Sequence, residues 1–362
     1  MPKSVYIHIP FCRSKCHYCS FISYPKLELK KDYLKALEQE INSVYTGEVL
    51  KTLYFGGGTP SLLEPEEFYN IIKHFNITNS TEITAELNPD DLSFTYLRSL
   101  YDIGINRISL GVQSFDDDIL KQINRRHDSK QVLKSVENAK NAGFKNISLD
   151  FIYGLPNQTS DMFLNDLKKA VNLEVQHISL YGLSIEKGCY FDKNRPENLA
   201  DEDEQADMYI EAVKLLSVCG FNHYEISNFA KEGFESKHNL NYWNNEEYYG
   251  FGVSAHGYLN GIRYGNKITI EDYLKNPLER EEERFETEQD KLEEEIFLGF
   301  RKMSGINIGQ INSKYGIDFE EKYLKILKKY EGLKLLEKTQ YGYKLTPNGV
   351  LVSNTILAEF LE

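Results

Sequence analysis

Six short runs rich in β-branched and aromatic residues alternate with helical stretches over the first half of this 362-residue chain. The runs are Ser4 to Pro10, Thr52 to Gly57, Glu82 to Leu87, Arg107 to Gln113, Asn146 to Tyr153 and His177 to Ser184; the helical stretches include Lys31 to Tyr45 and Ser129 to Ala142. Strands that alternate with helices predict a parallel sheet with right-handed crossovers. Such a sheet can curl into a partial TIM-like (β/α)6 barrel, whose site lies on the loops at the carboxyl ends of the strands.

Three of the five cysteines, Cys12, Cys16 and Cys19, come directly after the first predicted strand. A cubane iron–sulfur cluster usually takes four cysteines, so three thiolates would leave one iron open to an outside ligand. A zinc site or chance crowding is the alternative, although zinc usually prefers two separated C-x2-C pairs and the chain has no such pair. We predict a 4Fe-4S cluster here, and we expect the isolated Cys189 and Cys219 to be small buried residues.

The composition narrows the class of protein. A hydrophobic content of 41% fits a globular protein with one large and one smaller domain. No run reaches the roughly 18 apolar residues that a membrane span requires, and the N-terminus has no signal-peptide pattern, so we expect a cytoplasmic protein. A net charge of −13 argues against a nucleic-acid-binding surface, which needs clustered Lys and Arg.

The pattern changes after residue 190, and we expect three parts: 1–190, 191–280 and 281–362. The middle part reads as an acidic linker (Pro196 to Gln205), a helix near Met208 to Cys219 and an irregular aromatic-rich stretch through Tyr264. The charged run from Glu279 to Glu295 is interpreted as a solvated linker and helix face. In the last part, two helical segments, Ile306 to Ser313 and Phe319 to Tyr330, precede a short hairpin at Gly342 to Leu345 and a helix start at Thr346, which predicts a small α+β winged-helix-like domain.

Polar groups recur where the predicted barrel strands end. The second strand runs into the glycines of Gly56 to Pro60, whose backbone can approach a ligand closely, although tight turns use glycine too. A charged residue in an apolar parallel strand is costly unless it faces a ligand or a partner, so a core ion pair is the alternative at each position. As a set above one barrel mouth, the residues favour cofactor recognition: Glu86, Gln113, Arg125 and Asp150.

The cysteine spacing C-x3-C-x-aromatic-C, with His17-Tyr18-Cys19 supplying the aromatic, resembles the signature of the radical S-adenosylmethionine (radical SAM) superfamily. That resemblance implies that the methionyl amino and carboxylate groups of S-adenosylmethionine occupy the open iron. An electron donor that reduces the cluster would then allow cleavage to a 5′-deoxyadenosyl radical, while the protein positions the cofactor.

Five further elements resemble one branch, the oxygen-independent coproporphyrinogen III oxidase-like family, which contains a decarboxylating dehydrogenase of heme synthesis and a group of heme chaperones. They are Tyr6 to Cys12, Gly56 to Ser61, Leu110 to Ser114, Asp150 to Pro156 and Ser179 to Tyr181. The similarity spans the chain and implies a radical SAM core over 1–190 and that family's C-terminal domain over 281–362. It also implies S-adenosylmethionine-binding positions: Tyr6, Tyr18, Gly57, Gly58, Thr59, Glu86, Gln113, Arg125 and Asp150.

Three features favour the heme chaperones within that family. The dehydrogenases carry another cysteine two residues after the third, where this chain has Phe21. They also carry an N-terminal extension of several dozen residues, whereas the first cysteine here is Cys12. Finally, the segment from His238 to Trp243 reads HNLNYW and matches the HNxxYW motif of the chaperones.

That motif suits a porphyrin site, because imidazole can ligate heme iron and flat aromatic rings can stack on the macrocycle. His238, Tyr242 and Trp243 are therefore heme-binding candidates, and His256 is a second candidate ligand. The alternative is a loop histidine beside a tryptophan that anchors the barrel. His8 is a candidate for orienting the cysteine loop.

The leading hypothesis is a heme chaperone that carries the cluster and S-adenosylmethionine and passes heme to an acceptor protein; a homodimer is a further expectation. One alternative is the dehydrogenase, which would oxidatively decarboxylate two propionates of coproporphyrinogen III. Another is a radical SAM enzyme acting on a different tetrapyrrole, including heme opening. Whether the chain is an enzyme stays open at this point.

Overall fold

Six parallel strands in chain order form the centre of the largest sheet in the computed structural model, which describes residues 1–361 except the side chain of Asp91. The strands are β1 (Ser4–Ile9), β2 (Thr52–Gly57), β3 (Glu82–Leu87), β4 (Arg107–Gln113), β5 (Ile147–Tyr153) and β6 (His177–Gly182). Thr52 pairs with both Ser4 and Glu82, so neighbouring strands begin at one edge and end at the opposite one. The predicted partial barrel is confirmed, with β2, β3 and β4 at the predicted bounds.

Helices connect these strands: α1 (Lys30–Val44), α2 (Pro65–Ile72), α3 (Phe94–Asp102), α4 (Asp117–Gln122), α5 (Ser129–Ala142) and α6 (Ser160–Asn172). Helix α5 illustrates how the sequence sets its ends. Asp128 and Gln131 form a reciprocal capping box at its start, and Gly143, with φ of 108°, ends it in the left-handed conformation. Val132, Val136 and Ala139, spaced by three or four residues, are buried in the core, which fixes which face of the helix packs inward.

The middle part of the chain extends the sheet at both edges. The prediction of an irregular stretch through Tyr264 was therefore wrong, because this region forms several short strands. After α7 (Tyr190–Lys193) and α8 (Glu202–Val218), the chain forms β7 (Asn222–Glu225) and β8 (Asn228–Ala230); β8 pairs antiparallel with β6, and β7 pairs antiparallel with β8. After α9 (Lys237–Trp243), β9 (Tyr249–Phe251) pairs parallel with β1. The chain then forms β10 (His256–Leu259), β11 (Ile262–Asn266), α10 (Ile270–Lys275) and β12 (Arg280–Phe285). Three-residue strands are too short to show a period of two, which is why the pattern missed them.

The charged run from Glu279 to Glu295 is exposed over most of its first half, but Glu286 and Leu292 are buried, and the run is not simply a linker and a helix. Its first half forms β12, an edge strand whose side chains are largely exposed and charged. Charged side chains on an edge strand discourage pairing with other chains, and they also hide the apolar signal by which strands are usually recognised.

The last part of the chain has its own three-stranded sheet and apolar core, in agreement with the predicted winged-helix-like domain. Its elements are α11 (Glu288–Gly299), β13 (Ile306–Asn307), α12 (Ile308–Tyr315), α13 (Phe319–Lys322), α14 (Leu324–Gly332), β14 (Leu336–Lys338), β15 (Gly342–Leu345), α15 (Pro347–Leu351) and α16 (Ser353–Ala358). Phe300, Phe319 and Phe360 are fully buried in its core. Contrary to the helix predicted from Ile306, the first two residues of that segment form β13.

None of the helices within residues 1–361 combines the length and the apolar character needed to cross a membrane.

Candidate functional site

A cavity of about 500 Å³ opens where the six parallel strands end. Because parallel strands direct their carboxyl ends to one edge, residues distant in sequence meet there. All three clustered cysteines line it, together with most of the predicted strand-end residues: Tyr18, Gly57, Gly58, Thr59, Glu86, Gln113, Arg125 and Asp150. The predicted cluster loop and the predicted cofactor residues therefore face one space.

Backbone hydrogen bonds hold the cysteine loop at this opening. The Cys12 N–H donates to the Tyr24 carbonyl at 3.1 Å, and the Tyr24 N–H donates to the Pro10 carbonyl at 2.7 Å, so both ends of the loop are closed against each other. The Thr59 hydroxyl lies 3.3 Å from the Cys12 Sγ. These bonds present the cysteines side by side without a disulfide between them.

The cysteine surroundings fit a multi-iron cluster. Cys12, Cys16 and Cys19 all line one cavity, and three thiols around one space are the donor set that a cubane with one open iron would take. Burial raises the pKa of the Cys12 and Cys19 thiols, and the Arg125 guanidinium opposes that effect at Cys12. Arg125 also donates to the Cys16 Sγ at 3.4 Å, so a cation already faces the thiolates that a cluster would contain.

Two glycines let the loop after β2 lie against the cysteine loop. A Cβ atom on Gly58 would lie 2.7 Å from the Phe11 carbonyl oxygen, which is backbone and cannot move aside. Gly57 has φ of 109°, and a Cβ there would lie 2.6 Å from the His8 ring. His8 thus packs against this loop beside the cysteines.

Asp150 and Glu86 are partly buried carboxyl groups whose direct partners are uncharged. Asp150 accepts hydrogen bonds from three serine hydroxyls, of which Ser109 is at 2.8 Å and Ser179 at 2.7 Å. Glu86 accepts from the Tyr54 hydroxyl at 2.7 Å and the Gly57 N–H at 3.3 Å. Burial raises the pKa of both carboxyls, that of Glu86 to about 7. Neither is held as half of a close ion pair, so each can respond to a charged or hydroxylated ligand.

Arg125 and Gln113 complete the wall of the cavity. Arg125 donates to the Asn88 side-chain oxygen at 2.9 Å and to the Gly111 carbonyl at 2.5 Å, while its buried Nε has no hydrogen-bond partner. Gln113 ends β4 at an irregularity in the pairing with β5 and has φ of 68°, a strained conformation for this residue. Strain of this kind clusters at functional sites, where surrounding structure maintains it.

Tyr6 is the one predicted cofactor residue that does not line the cavity. Its hydroxyl lies 3.0 Å from the His8 Nδ1, and its ring packs in the barrel interior below the cavity. Sequence reasoning also missed lining residues, among them Ser109 and Asn88. Ser109 could have been found, because it alternates with Gly111 and Gln113 on one face of β4.

The HNxxYW segment lies at the opposite mouth of the barrel. It forms α9, whose first N–H groups donate to the Glu82 carboxylate at the start of β3, with the His238 N–H at 3.2 Å. The His238 side chain is buried, with Nδ1 2.8 Å from the Thr52 hydroxyl and Nε2 2.8 Å from the Tyr242 hydroxyl. Burial lowers the His238 pKa to about 3, so the ring is neutral and both of its nitrogens are occupied.

The other heme candidates are placed differently. Tyr242 and Trp243 line a second cavity of about 530 Å³, between α9 and the C-terminal domain. His256 lies on β10 with an exposed ring, 3.7 Å from the Glu282 carboxylate, and it does not line that cavity. The structure therefore brings together the two aromatic residues of the motif, but not the two candidate histidine ligands.

Comparisons with known proteins agree with this architecture. Residues 6–170 match the family model of the Radical SAM superfamily, and residues 287–352 match that of the HemN C-terminal domain. The chain is 41% identical to the heme chaperone HemW of Lactococcus lactis, across 99% of this chain and 97% of that one, and 39% identical to HemW of Bacillus subtilis, across 99% of both. The solved structure of the coproporphyrinogen III oxidase HemN of Escherichia coli covers 99% of this chain and 90% of its own, with a TM-score of 0.87 and 24% identity, which is a likeness of fold.

Proposed function

Because the chain belongs to the family of the HemW heme chaperones, within the radical SAM superfamily, we propose that it binds heme and transfers it to an acceptor protein. The observation that carries this proposal is identity of 39–41% along essentially the whole chain, including the segments outside the barrel. A binding and transfer function also agrees with a chain that has a cofactor cavity at one barrel mouth and a separate aromatic cavity at the other.

We propose that Cys12, Cys16 and Cys19 hold the 4Fe-4S cluster and that the residues around them hold S-adenosylmethionine. The bound cluster would supply one open iron for the methionyl group and an electron for cofactor cleavage. Arg125, with an unpaired Nε, suits the cofactor carboxylate, whereas Glu86 and Asp150 suit its ammonium and ribose hydroxyls. Tyr6 would act indirectly, by orienting His8 against the glycine loop.

The affinity for S-adenosylmethionine should rise with pH near neutrality because of Glu86. Its carboxyl, with a pKa of about 7, is largely protonated below that pH and cannot balance a cationic ligand. Binding favours the ionised form, so affinity should fall by up to about tenfold per pH unit as pH drops below 7. Equilibrium dialysis of the reconstituted protein at several pH values measures this dependence.

The matched variant for that measurement is Glu86→Gln, which keeps the side-chain shape and removes the titrating group. The cofactor's own amino group titrates in a neighbouring pH range, and the variant separates that contribution from the one due to Glu86. Equal pH dependence in the two proteins would remove Glu86 from the cofactor site.

The remaining expectations extend this proposal. We keep the division into 1–190, 191–280 and 281–362, supported by one apolar core in the barrel and another in the C-terminal part.

We also propose that the protein is cytoplasmic, that it receives electrons from a separate donor, and that it assembles as a homodimer. Sedimentation of the reconstituted protein with and without heme would measure that assembly.

Heme transfer tests the proposed function directly. The heme-loaded protein is mixed with a heme-free hemoprotein, and the acceptor's absorption spectrum is followed over time. Appearance of the acceptor's holo spectrum, together with loss of heme from the chain, is expected. Failure of the reconstituted protein to bind heme at all would overturn the chaperone function.

A further inference from the structure

The second cavity lies between the HNxxYW helix and the C-terminal domain, and no part of the proposed radical chemistry uses it. Its volume of about 530 Å³ falls within the usual range of roughly 300–1,000 Å³ for small-molecule sites. Helix α9 supplies Tyr242 and Trp243, the following segment supplies Tyr248, β11 supplies Arg263, and α11 supplies Phe297. Four aromatic side chains around one space suit a flat conjugated ligand.

Most polar groups of the HNxxYW motif at this cavity are already in use. His238 has both ring nitrogens in hydrogen bonds, so the imidazole has no free nitrogen for iron. The Tyr242 phenol contacts this neutral ring rather than a cation, so nothing there favours a phenolate. The Trp243 indole nitrogen, in contrast, is buried without a partner. The motif therefore contributes aromatic surface to this cavity, and its histidine has no free nitrogen for iron.

Tyr248 is the group on this wall with suitable ligand chemistry. Its ring packs edge-on against Tyr242, with ring centroids 4.7 Å apart, and its phenol contacts the Arg263 guanidinium. Tyrosine phenolate is an established ligand of heme iron. Burial raises the Tyr248 pKa, and the Arg263 guanidinium, which donates to the phenol, opposes that effect and would favour the ionised form once iron replaces the proton.

Arg263 is itself held in place, so its position beside Tyr248 does not depend on a ligand. It donates to the Glu294 carboxylate at 2.6 and 3.1 Å and to the Asn245 side chain at 2.6 Å, and its guanidinium lies 4.0 Å above the Tyr258 ring. Glu294 also pairs with Arg284, so these opposite charges offset each other on one wall. Further acidic residues line the cavity, namely Glu246, Asp290 and Glu293, which disfavours a propionate close to them.

We propose that this cavity is the heme site and that the Tyr248 phenol oxygen, positioned by Arg263, is the iron ligand. The inference rests on the proposed chaperone function and deepens it by naming the ligand. It assigns His238 a positioning role: its ring supports Tyr242 and stacks on Tyr54, with centroids 4.8 Å apart. The heme propionates are expected at the solvent opening, away from the acidic residues.

Resonance Raman spectroscopy of the reconstituted protein with ferric heme tests the ligand. The heme complex of the unmodified protein is expected to show phenolate vibrations, which Tyr248→Phe should abolish while lowering heme affinity at least tenfold. The control is Tyr258→Phe, which removes a phenol near the same arginine but outside the cavity lining, and should leave both unchanged. His238→Gln should weaken binding but retain the phenolate vibrations.

The outcomes separate this inference from the function on which it depends. A protein that binds no heme contradicts the chaperone function itself. A protein that binds heme without phenolate vibrations, or a folded Tyr248→Phe protein with unchanged spectrum and affinity, contradicts the ligand assignment alone. The spectrum of the unmodified protein decides the question even where a variant does not fold.

Discussion

Replacing Cys16 by alanine is expected to reduce the iron content of anaerobically reconstituted protein from about four atoms per chain to nearly none. Three thiolates are already one fewer than a cubane usually takes, so two should not retain the cluster. The same variant should lose most S-adenosylmethionine binding, because the cofactor would lose its iron and Arg125 would lose the sulfur to which it donates. Iron and sulfide analysis, with equilibrium dialysis of the cofactor, measures both effects.

The chain supplies its own control for that experiment in Cys219→Ala. Cys219 follows α8, is partly buried and lies outside the cofactor cavity, so its removal tests for nonspecific effects of losing a thiol. It should retain full iron content. A Cys16→Ala protein that keeps about four iron atoms would contradict the ligand assignment.

Replacing Glu40 by alanine is expected to lower the free energy of unfolding by about 3–5 kcal/mol, the range typical of a broken buried ion pair. The Glu40 carboxylate is fully buried and receives hydrogen bonds from Arg280 at 2.7 Å, Tyr273 at 2.6 Å and Asn266 at 2.8 Å. Removing it leaves the mostly buried Arg280 charge without its partner. Urea unfolding monitored by circular dichroism measures the change in the free energy of unfolding.

Glu40 also connects the barrel, which holds the proposed cofactor site, to the strands beside the second cavity. It lies on α1 of the barrel, while its partners belong to β11, α10 and β12, and β11 carries Arg263 of the second cavity. Loss of Glu40 should therefore weaken heme binding as well as stability. The control is Glu38→Ala on the same helix, where an exposed pair with His74 should change the unfolding free energy by no more than about 0.5 kcal/mol. Equal losses in both variants would contradict the role of the buried network.

The barrel could be predicted from sequence because its strands are continuous apolar runs closed by glycine or polar residues, as at Thr52 to Gly57. The edge strands could not, because β9 has only three residues and β12 is almost entirely charged. Helix α8 began earlier than expected, at Glu202, because Asp201 forms a capping box that extends it into the acidic linker.

The proposed cofactor site was more predictable than the proposed heme site for a similar physical reason. Asp150 and Glu86 interrupt apolar strands whose ends must converge, so their placement follows from topology. The partners of His238 depend on how α9 packs beneath the barrel, which no local pattern encodes, and Tyr248 lies in a short connection without periodicity. Residue chemistry indicated a porphyrin, but only the packing shows which ligand atoms are already occupied.

The most direct test of the central claim offers one reduced, reconstituted sample two tetrapyrroles in parallel. Heme is titrated into one portion, and coproporphyrinogen III with S-adenosylmethionine is added to the other. A chaperone should give a saturable shift of the heme Soret band and no protoporphyrinogen by mass spectrometry. Formation of protoporphyrinogen with release of carbon dioxide, without saturable heme binding, would contradict heme carriage and establish the decarboxylating reaction instead.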